Sequence, residues 1–550
     1  MAPTDDIISQ VDSVNDEDHT EKSSSELNKR LLAVEWHEDE EKQVVRRLDF
    51  YLIPLVMIMF FTLNLDRGNI SNALTDNMMK DLHITQEIVN TGNSLVYVGI
   101  CIGDIPANLA IQKIGADIWL PFQLLAWGLV ATFQAFIKNK SGFLATRFLL
   151  GLCESGFIPG TLWYLTKWYT KRELGKRTVL FFIGSYMANL LNGLIAYGLL
   201  RLRGRAGLTG WQWLFLVDGL ATLTVGIVTL FLLPRDPSRG NAIIKRPFSS
   251  FSPRETELLL GRIARDNPYN TDPRDSHLSQ FQIVVSVLTD WKVWAHSSMA
   301  LLGLEYSPPI GTYSPSIIKS FGFGTFDSNL LVMPNSALLI ITTFTLSWWS
   351  DRINSRSIPI IFAAIWLLIG LIVLDTLPHT KSHWTFYAFL VFTGGSPSWH
   401  PLNVAWLNAN QPTPRRRAIA VALYMAMTNL SAVPASHIFQ ASDKPYYHNG
   451  FKVLFIMAAM AISVMVGMRL AYQWLNRRIE QGKGTVEGGE VDRGFRYQFP
   501  VLIFDDCVID VYEMHLYNDE CYLIEEYRDQ GTLLDIINIS RADAKSPGGP

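Results

Sequence analysis

Residues 50–65 read FYLIPLVMIMFFTLNL, and residues 66–73 continue DRGNISNA. Sixteen uncharged residues are followed at once by an acid, Asp66, a base, Arg67, and two amides, Asn69 and Asn72. As a helix, that run climbs roughly 24 Å into a hydrocarbon core about 30 Å thick. Asp66 and Arg67 then fall in the outer half of a membrane-spanning helix, where an unpaired ion costs several kcal/mol. Two readings stay open: a pair snorkelling to the rim, or a pair facing an internal cavity where it meets a solute or a proton. Asp66, Asn69 and Asn72 share one helical face, which favours the second.

The rest of the chain repeats this pattern. Of its 550 residues 49% are hydrophobic and 18% charged, against about a quarter charged in soluble proteins. Charges concentrate before residue 47, between 234 and 290, and after 476. The expected fold is therefore an all-α polytopic membrane protein with twelve transmembrane helices in two six-helix bundles. Expected spans lie near 50–70, 90–112, 118–137, 143–165, 178–200 and 212–233, then near 292–316, 329–350, 358–377, 384–406, 418–439 and 453–475. The expected units are a largely disordered cytosolic tail (1–47), a first bundle (48–233), a cytosolic linker (234–290), a second bundle (291–476) and a cytosolic tail (477–550). The linker carries one amphipathic stretch, PRETELLLGRIARD. The acidic, Ser-rich first residues lack the pattern of a cleaved signal peptide.

Lysine and arginine set the expected orientation. Inner loops would carry KWYTKRELGKR, SDRINSR and PRRR, placing both termini in the cytosol; Arg201, Arg203 and Arg205 in an outer loop run against the rule. An internal repeat supports two related halves: Arg177 precedes Asn189 by twelve residues, as Arg417 precedes Asn429, each at the start of the fifth helix of its half. Net charge is −3, which gives no reason to expect nucleic acid. Cys101, Cys153, Cys507 and Cys521 lack metal-ligand spacing, and neither a metal nor a cofactor is expected.

Further polar groups sit inside the apolar runs. In the fourth expected helix, RFLLGLCESGFIPG, Arg147, Gly151 and Glu154 are spaced to line one face. Gly151 would permit close helix contact, Pro159 and Gly160 would bend the helix, and Arg147 with Glu154 would form either a proton or anion switch or a bracing ion pair. Glu305 precedes two prolines, near the start of a helix they would break. Asp104 could serve packing or an inner gate, Asp218 an outer interface. His296 and His400 are read as satisfied polar residues. Trp163, Tyr164, Trp168, Trp348, Trp349 and Trp399 are read mostly as interface anchors. After the eighth helix, Asp351 can pair with Arg356 or accept from the ninth helix as an inner latch, and Asn139 opens a glycosylation sequon.

With these blocks in order, the chain resembles the major facilitator superfamily, and more narrowly the fungal anion:cation symporters typified by allantoate permease. The resemblance spans about 46–480 and rests on LDRGNISNA, RFLLGLCESGFIPG, WYTKRELGKR, GWQWLFLVDG, WWSDR and WLNANQPTPRRRAIAVAL. It implies alternating access and proton-coupled uptake of a small organic anion such as an allantoate-, nicotinate- or vitamin-like carboxylate. The substrate or proton candidates are Asp66, Arg67, Asn69, Arg147, Glu154 and Glu305. The inner-gate candidates are Asp351, Arg352, Arg356, Arg177 and Arg417. The implied partners are the anion, protons and membrane lipids, around a monomer in the plasma membrane. Efflux of a secondary metabolite and a non-transporting sensor are the alternatives; an enzyme is not expected. Residues 514–543 resemble a protein-kinase hinge without a phosphate loop, catalytic loop or metal-binding motif, and are read as a gene-model artefact.

Overall fold

The computed structural model describes residues 31–235, 251–266 and 279–480, apart from 354, 379–381 and 412, together with 515–517 and 520–522. Every long apolar run among the described residues is helical, because a chain in lipid must satisfy its own backbone polar groups. The first half holds α1 (Glu38–Ala73), α2 (Gln86–Ile114), α3 (Ala116–Gln134), α4 (Lys140–Glu154), α5 (Phe157–Leu165), α6 (Lys171–Leu199) and α7 (Gly210–Leu232). The connecting segment holds α8 (Pro253–Asp266) and α9 (Gln280–Leu288). The second half holds α10 (Trp291–Gly303), α11 (Ser307–Ser320), α12 (Thr325–Leu330), α13 (Met333–Arg352), α14 (Ser357–Thr376), α15 (His383–Gly394), α16 (His400–Ala409), α17 (Pro414–Ala435) and α18 (His448–Glu480).

Ten helical spans among the described residues are long and apolar enough to cross a membrane. The expected twelve take 292–316 and 384–406 as single spans; the structure divides each into two shorter helices. α10 ends at Gly303, and α11 starts with Pro308 and Pro309 in its first turn. A proline has no N–H to give and its ring clashes with the carbonyl a turn earlier, so the preceding helix stops. Glu305 lies in that gap. α15 and α16 are parted in the same way by Gly395–Trp399 with Pro397 between them.

The expected bend in the fourth span is displaced. It falls not at Pro159 or Gly160, which continue in α5, but between Glu154 and Phe157, where Ser155 is extended and Gly156 takes φ 71°. Glycine carries no Cβ penalty in that left-handed region. The freed backbone groups are capped: Asp104 Oδ1 accepts from the Gly156 N–H at 2.7 Å, and Gln123 Nε2 donates to the Ser155 carbonyl at 2.6 Å.

Within the first half, α1 packs on α6 and α7, α3 on α7, and α2 on α4. The α2–α4 approach is close because it runs over glycines: a Cβ on Gly151 would meet the Val96 carbonyl at 2.0 Å, and one on Gly99 the Phe148 carbonyl at 2.7 Å. Without a hydrophobic drive in lipid, such small-residue seams let helices associate by van der Waals contact. In the second half, α10 packs on α17 and α18, and α14 on α15 and α18. The halves meet where α2 touches α17, α1 touches α11, and α6 touches α12 and α13.

The apolar core shows how the halves are disposed. At the face where α1 and α2 connect, here the far face, one buried cluster draws on both halves, including Leu74, Met78, Trp211, Tyr313, Phe321 and Phe439. Toward the opposite, near face the clusters separate, one in the first half and two in the second. Cross-half hydrogen bonds reinforce the far face: Gln86 Nε2 and Asn90 Nδ2 each donate to the Phe439 carbonyl at 3.0 Å, Ser94 Oγ to the Val433 carbonyl at 2.8 Å, and Asn329 Nδ2 to Thr75 Oγ1 at 2.9 Å.

At the near face, the amphipathic stretch PRETELLLGRIARD is α8, docked on the first half. Leu258 and Leu259 are fully buried. Arg262 bridges Glu41 and Glu173 at 2.6 Å each, and Arg47 reaches Glu255 at 2.8 Å. Of the segment 514–543, only a short antiparallel hairpin, His515–Tyr517 with Glu520–Tyr522, is described; the rest lies outside the described residues, as do residues 1–30.

Candidate functional site

A cavity of about 360 Å³ lies between the halves, lined from α1, α2, α6, α11 and α13 and by Gly394. That volume lies in the range of small-molecule sites. Its lining is polar. Asn64, Asn72, Asn189, Asn192 and Asn335 supply carboxamides, Ser71, Thr312, Ser314 and Ser336 hydroxyls, and Tyr97 and Tyr306 phenols. Arg67 is the charged residue among the lining residues. Several of these groups are pre-positioned. Asn72 Nδ2 donates to Asn192 Oδ1 at 2.8 Å, and Ser336 Oγ donates to the Asn189 carbonyl at 3.2 Å, closing α6 against α13. Asn335 Oδ1 is buried without a hydrogen-bond partner.

The charge pairing differs from the sequence expectation. Asp66 does not pair with Arg67, nor Arg147 with Glu154. Arg67 Nε instead donates to Glu154 Oε2 at 2.5 Å, with the Arg67 side chain 28% exposed and that of Glu154 0%. Consecutive residues leave a helix about 100° apart, so Arg67 faces the cavity while Asp66 faces α7 and accepts from Thr222 Oγ1 at 2.8 Å. Arg147 and Glu154, two turns apart, are separated by roughly 10 Å along the axis. Arg147 Nη2 donates to Asn93 Oδ1 at 2.8 Å, while its Nε and Nη1 stay buried without partners.

Of the other expected residues, Asn72 lines the cavity and Asn69 does not. Glu305 is buried at the α10–α11 break, one residue before cavity-lining Tyr306, and its Oε2 has no partner. Asp218 lies inside the first half, not at an interface. Asp104 caps the Gly156 amide with one oxygen and accepts from Asn429 of α17 with the other, at 3.4 Å. His296 is satisfied by Asn403 and Tyr472, at 2.7 and 3.2 Å, and His400 by Tyr424 at 2.9 Å. Tyr164, Trp168 and Trp399 are core residues rather than interface anchors; Trp348 is exposed.

At the near face Asp351 pairs with Arg356, which also donates to Ser350 Oγ at 3.1 Å, and Arg352 lies over the Trp348 ring. Arg177 forks onto Asp49 at 2.7 and 3.0 Å, and Arg417 donates to the Gln411 carbonyl at 3.0 Å. Asn139 is exposed and caps α4, accepting from the Gly142 N–H at 2.8 Å. The carboxamides Asn64, Asn192 and Asn335, with Tyr97 and Tyr306, are site residues that a search for charges passes over. For the three asparagines the signal is an amide inside an apolar run; the two tyrosines carry no such signal.

Comparisons with known proteins agree with this architecture. The chain is 31% identical over 438 residues to "Uncharacterized transporter YIL166C" of Saccharomyces cerevisiae, covering 80% of this chain and 81% of that one. It is 27% identical over 451 residues to "MFS-type transporter efuF" of Hormonema carpetanum, covering 81% and 85%. In structure it resembles the partially occluded inward-open xylose transporter XylE of E. coli, with TM-score 0.59, 15% identity, and 76% and 97% of the two chains covered. It also resembles an inward-facing bacterial homologue of the human lysosomal transporter Spinster, with TM-score 0.58, 11% identity, and 80% and 98% covered. Residues 56–436 match the sequence model of the Major Facilitator Superfamily, and the chain belongs to that superfamily of membrane transporters.

Proposed function

We propose that this membrane transporter couples the movement of a small organic anion to that of a proton, by alternating access. The observation that carries the reading is the Arg67–Glu154 pair at 2.5 Å, with its base open to the cavity and its acid closed off behind it. An arriving carboxylate finds its strongest partner in a guanidinium, which binds it in a two-pronged fork. To do so it must displace Glu154. A carboxylate stripped of its cation inside a membrane protein is costly, and taking up a proton removes the charge. Anion and proton then occupy the site together, and each is released when the other leaves. The carboxamides and hydroxyls around Arg67 suit a polar solute with several hydrogen-bonding groups, and the volume limits it to a small one.

Alternating access needs one face shut while the other opens. The joined far-face core and the separate near-face cores support an arrangement closed at the far face, as in the inward-facing structures that the fold resembles. The reading includes a plasma-membrane location with both termini in the cytosol. Under it Asp351–Arg356 and Arg177–Asp49 belong to the inner side, where they help close the gate. An uptake screen of small carboxylates in a permease-deficient fungal strain, with and without a pH gradient, tests it. Accumulation of one carboxylate that collapses with a protonophore is the expected result; accumulation indifferent to the gradient rules out proton coupling.

A further inference from the structure

A second group of acids lies inside the first half, away from the cavity. Asp66 and Asp218 are 2% and 5% exposed. Asp66 Oδ2 accepts from Thr222, and its Oδ1 makes no well-aligned hydrogen bond, with the Trp127 indole of α3 lying against the carboxylate. α1 and α7 are antiparallel, so one turn farther toward the far face Asn69 of α1 stands opposite Asp218 of α7. Asn69 is 1% exposed; its amide lies against the Asp218 carboxylate without a well-formed hydrogen bond, and Asp218 Oδ2 is left without one as well. Asp66 is near enough to Asp218 for the two charges to act on each other, and Asn69 lies against Asp218.

Among the described residues no cation lies against either acid; Arg147 of α4 is held by Asn93. On α1, Arg67 turns the other way and is engaged by Glu154. α7 carries no charged residue besides Asp218, and α3 none besides Asp117 in its first turn at the near face. α6 has none between Arg177 and Arg201. From α4, Glu154 adds a further negative charge rather than relief. Two carboxylates cannot both stay ionised in one dry site, and buried polar atoms without partners call for a ligand or a proton.

We propose that Asp66, Asn69, Asp218 and Thr222 form a binding site for one monovalent cation, H⁺ or Na⁺, buried within the first half and distinct from the Arg67–Glu154 pair. For Na⁺ the carboxylate, amide and hydroxyl oxygens are the hard ligands such an ion takes. For H⁺ one of the two carboxyl groups takes the proton and the other stays ionised. Either occupant cancels one charge and binds α1 to α7, so its loss loosens that seam.

The test uses the purified full-length protein in detergent, with thermal unfolding followed in choline, potassium and sodium chloride at matched ionic strength, at mildly acid and mildly alkaline pH. Wild-type protein should lose several degrees of Tm on going alkaline in choline. Restoration by sodium identifies Na⁺ as the occupant, and no restoration identifies H⁺. Asp218→Asn and, independently, Asp66→Asn should abolish most of that response. Glu154→Gln, which removes a neighbouring negative charge but none of the four ligands, should shift the midpoint of that response without abolishing it, which separates this site from the carrier reading. If an aspartate variant does not fold, Thr222→Ala, which removes one ligand and keeps both carboxyl groups, takes its place and should weaken the same response. Equal salt and pH responses in wild type and both aspartate variants overturn the proposal.

Discussion

Arg67 Nε lies 2.5 Å from Glu154 Oε2 across two helices, while Asp66, one residue earlier, turns to Thr222 in the interior of the first half. One step in the sequence thus divides an apparent acid–base pair between the cavity and the packed interior of the first half. The cavity receives a guanidinium whose counter-ion lies buried behind it.

Glu154→Gln leaves Arg67 without its anionic partner at all pH values. Proton-driven accumulation should fall to simple equilibration, while counterflow of labelled substrate persists and delivery to the membrane is normal. Wild-type accumulation in this variant would remove Glu154 from the coupling step.

Arg67→Lys keeps the charge and loses the fork. A hydrogen bond to a charged group contributes about 1.5–3 kcal/mol, so KM for the carboxylate should rise roughly ten- to a hundredfold, with protein level unchanged. The check is a comparison of initial uptake rates over a range of substrate concentrations.

Gly156→Ala strains the break behind Glu154. A left-handed conformation costs an L-residue roughly 1–2 kcal/mol, and the added Cβ would stand 2.7 Å from the Ala107 Cβ. Lower thermal stability and slower turnover should appear together. Asp104→Ala removes the acceptor for the Gly156 amide and for Asn429, and should raise hydrogen exchange at residues 155–157 in the purified protein. Unchanged exchange there would show that Asp104 does not hold the break.

Glu255, at the start of α8, lies outside the membrane-spanning helices. Its burial is outweighed by the Ser252 N–H and hydroxyl and by Arg47, which hold its carboxyl below the usual carboxylate range. A group of this kind stabilises the docked helix above its unfolded value, about 4.3 for glutamate, and that contribution disappears as pH falls through the lower folded value. Exchange protection of 253–266 should therefore weaken on acidification below that range and not between neutral and mildly acid pH. Glu255→Gln should flatten the response.

Truncation after Tyr497 should leave transport and membrane delivery intact. Loss of uptake at a normal surface level would show that residues beyond 497 take part.

Composition and spacing alone determined much of this protein. Runs such as 50–65 are too long and too apolar for anything but helices in lipid, since a backbone there must bond to itself. The PRETELLLGRIARD stretch announced a docked helix by its one apolar stripe, and the two prolines after Glu305 announced a break. The amides Asn189 and Asn429, matched between the halves, end beside the cavity and on Asp104. What only the tertiary structure decided is which charge meets which. Neighbours in sequence diverge by about 100° around a helix, and a partner is chosen by how helices cross. Hence Arg67 went to Glu154, Asp66 to Thr222, Arg147 to Asn93, and the five neutral amides that line the cavity came together from three helices, α1, α6 and α13.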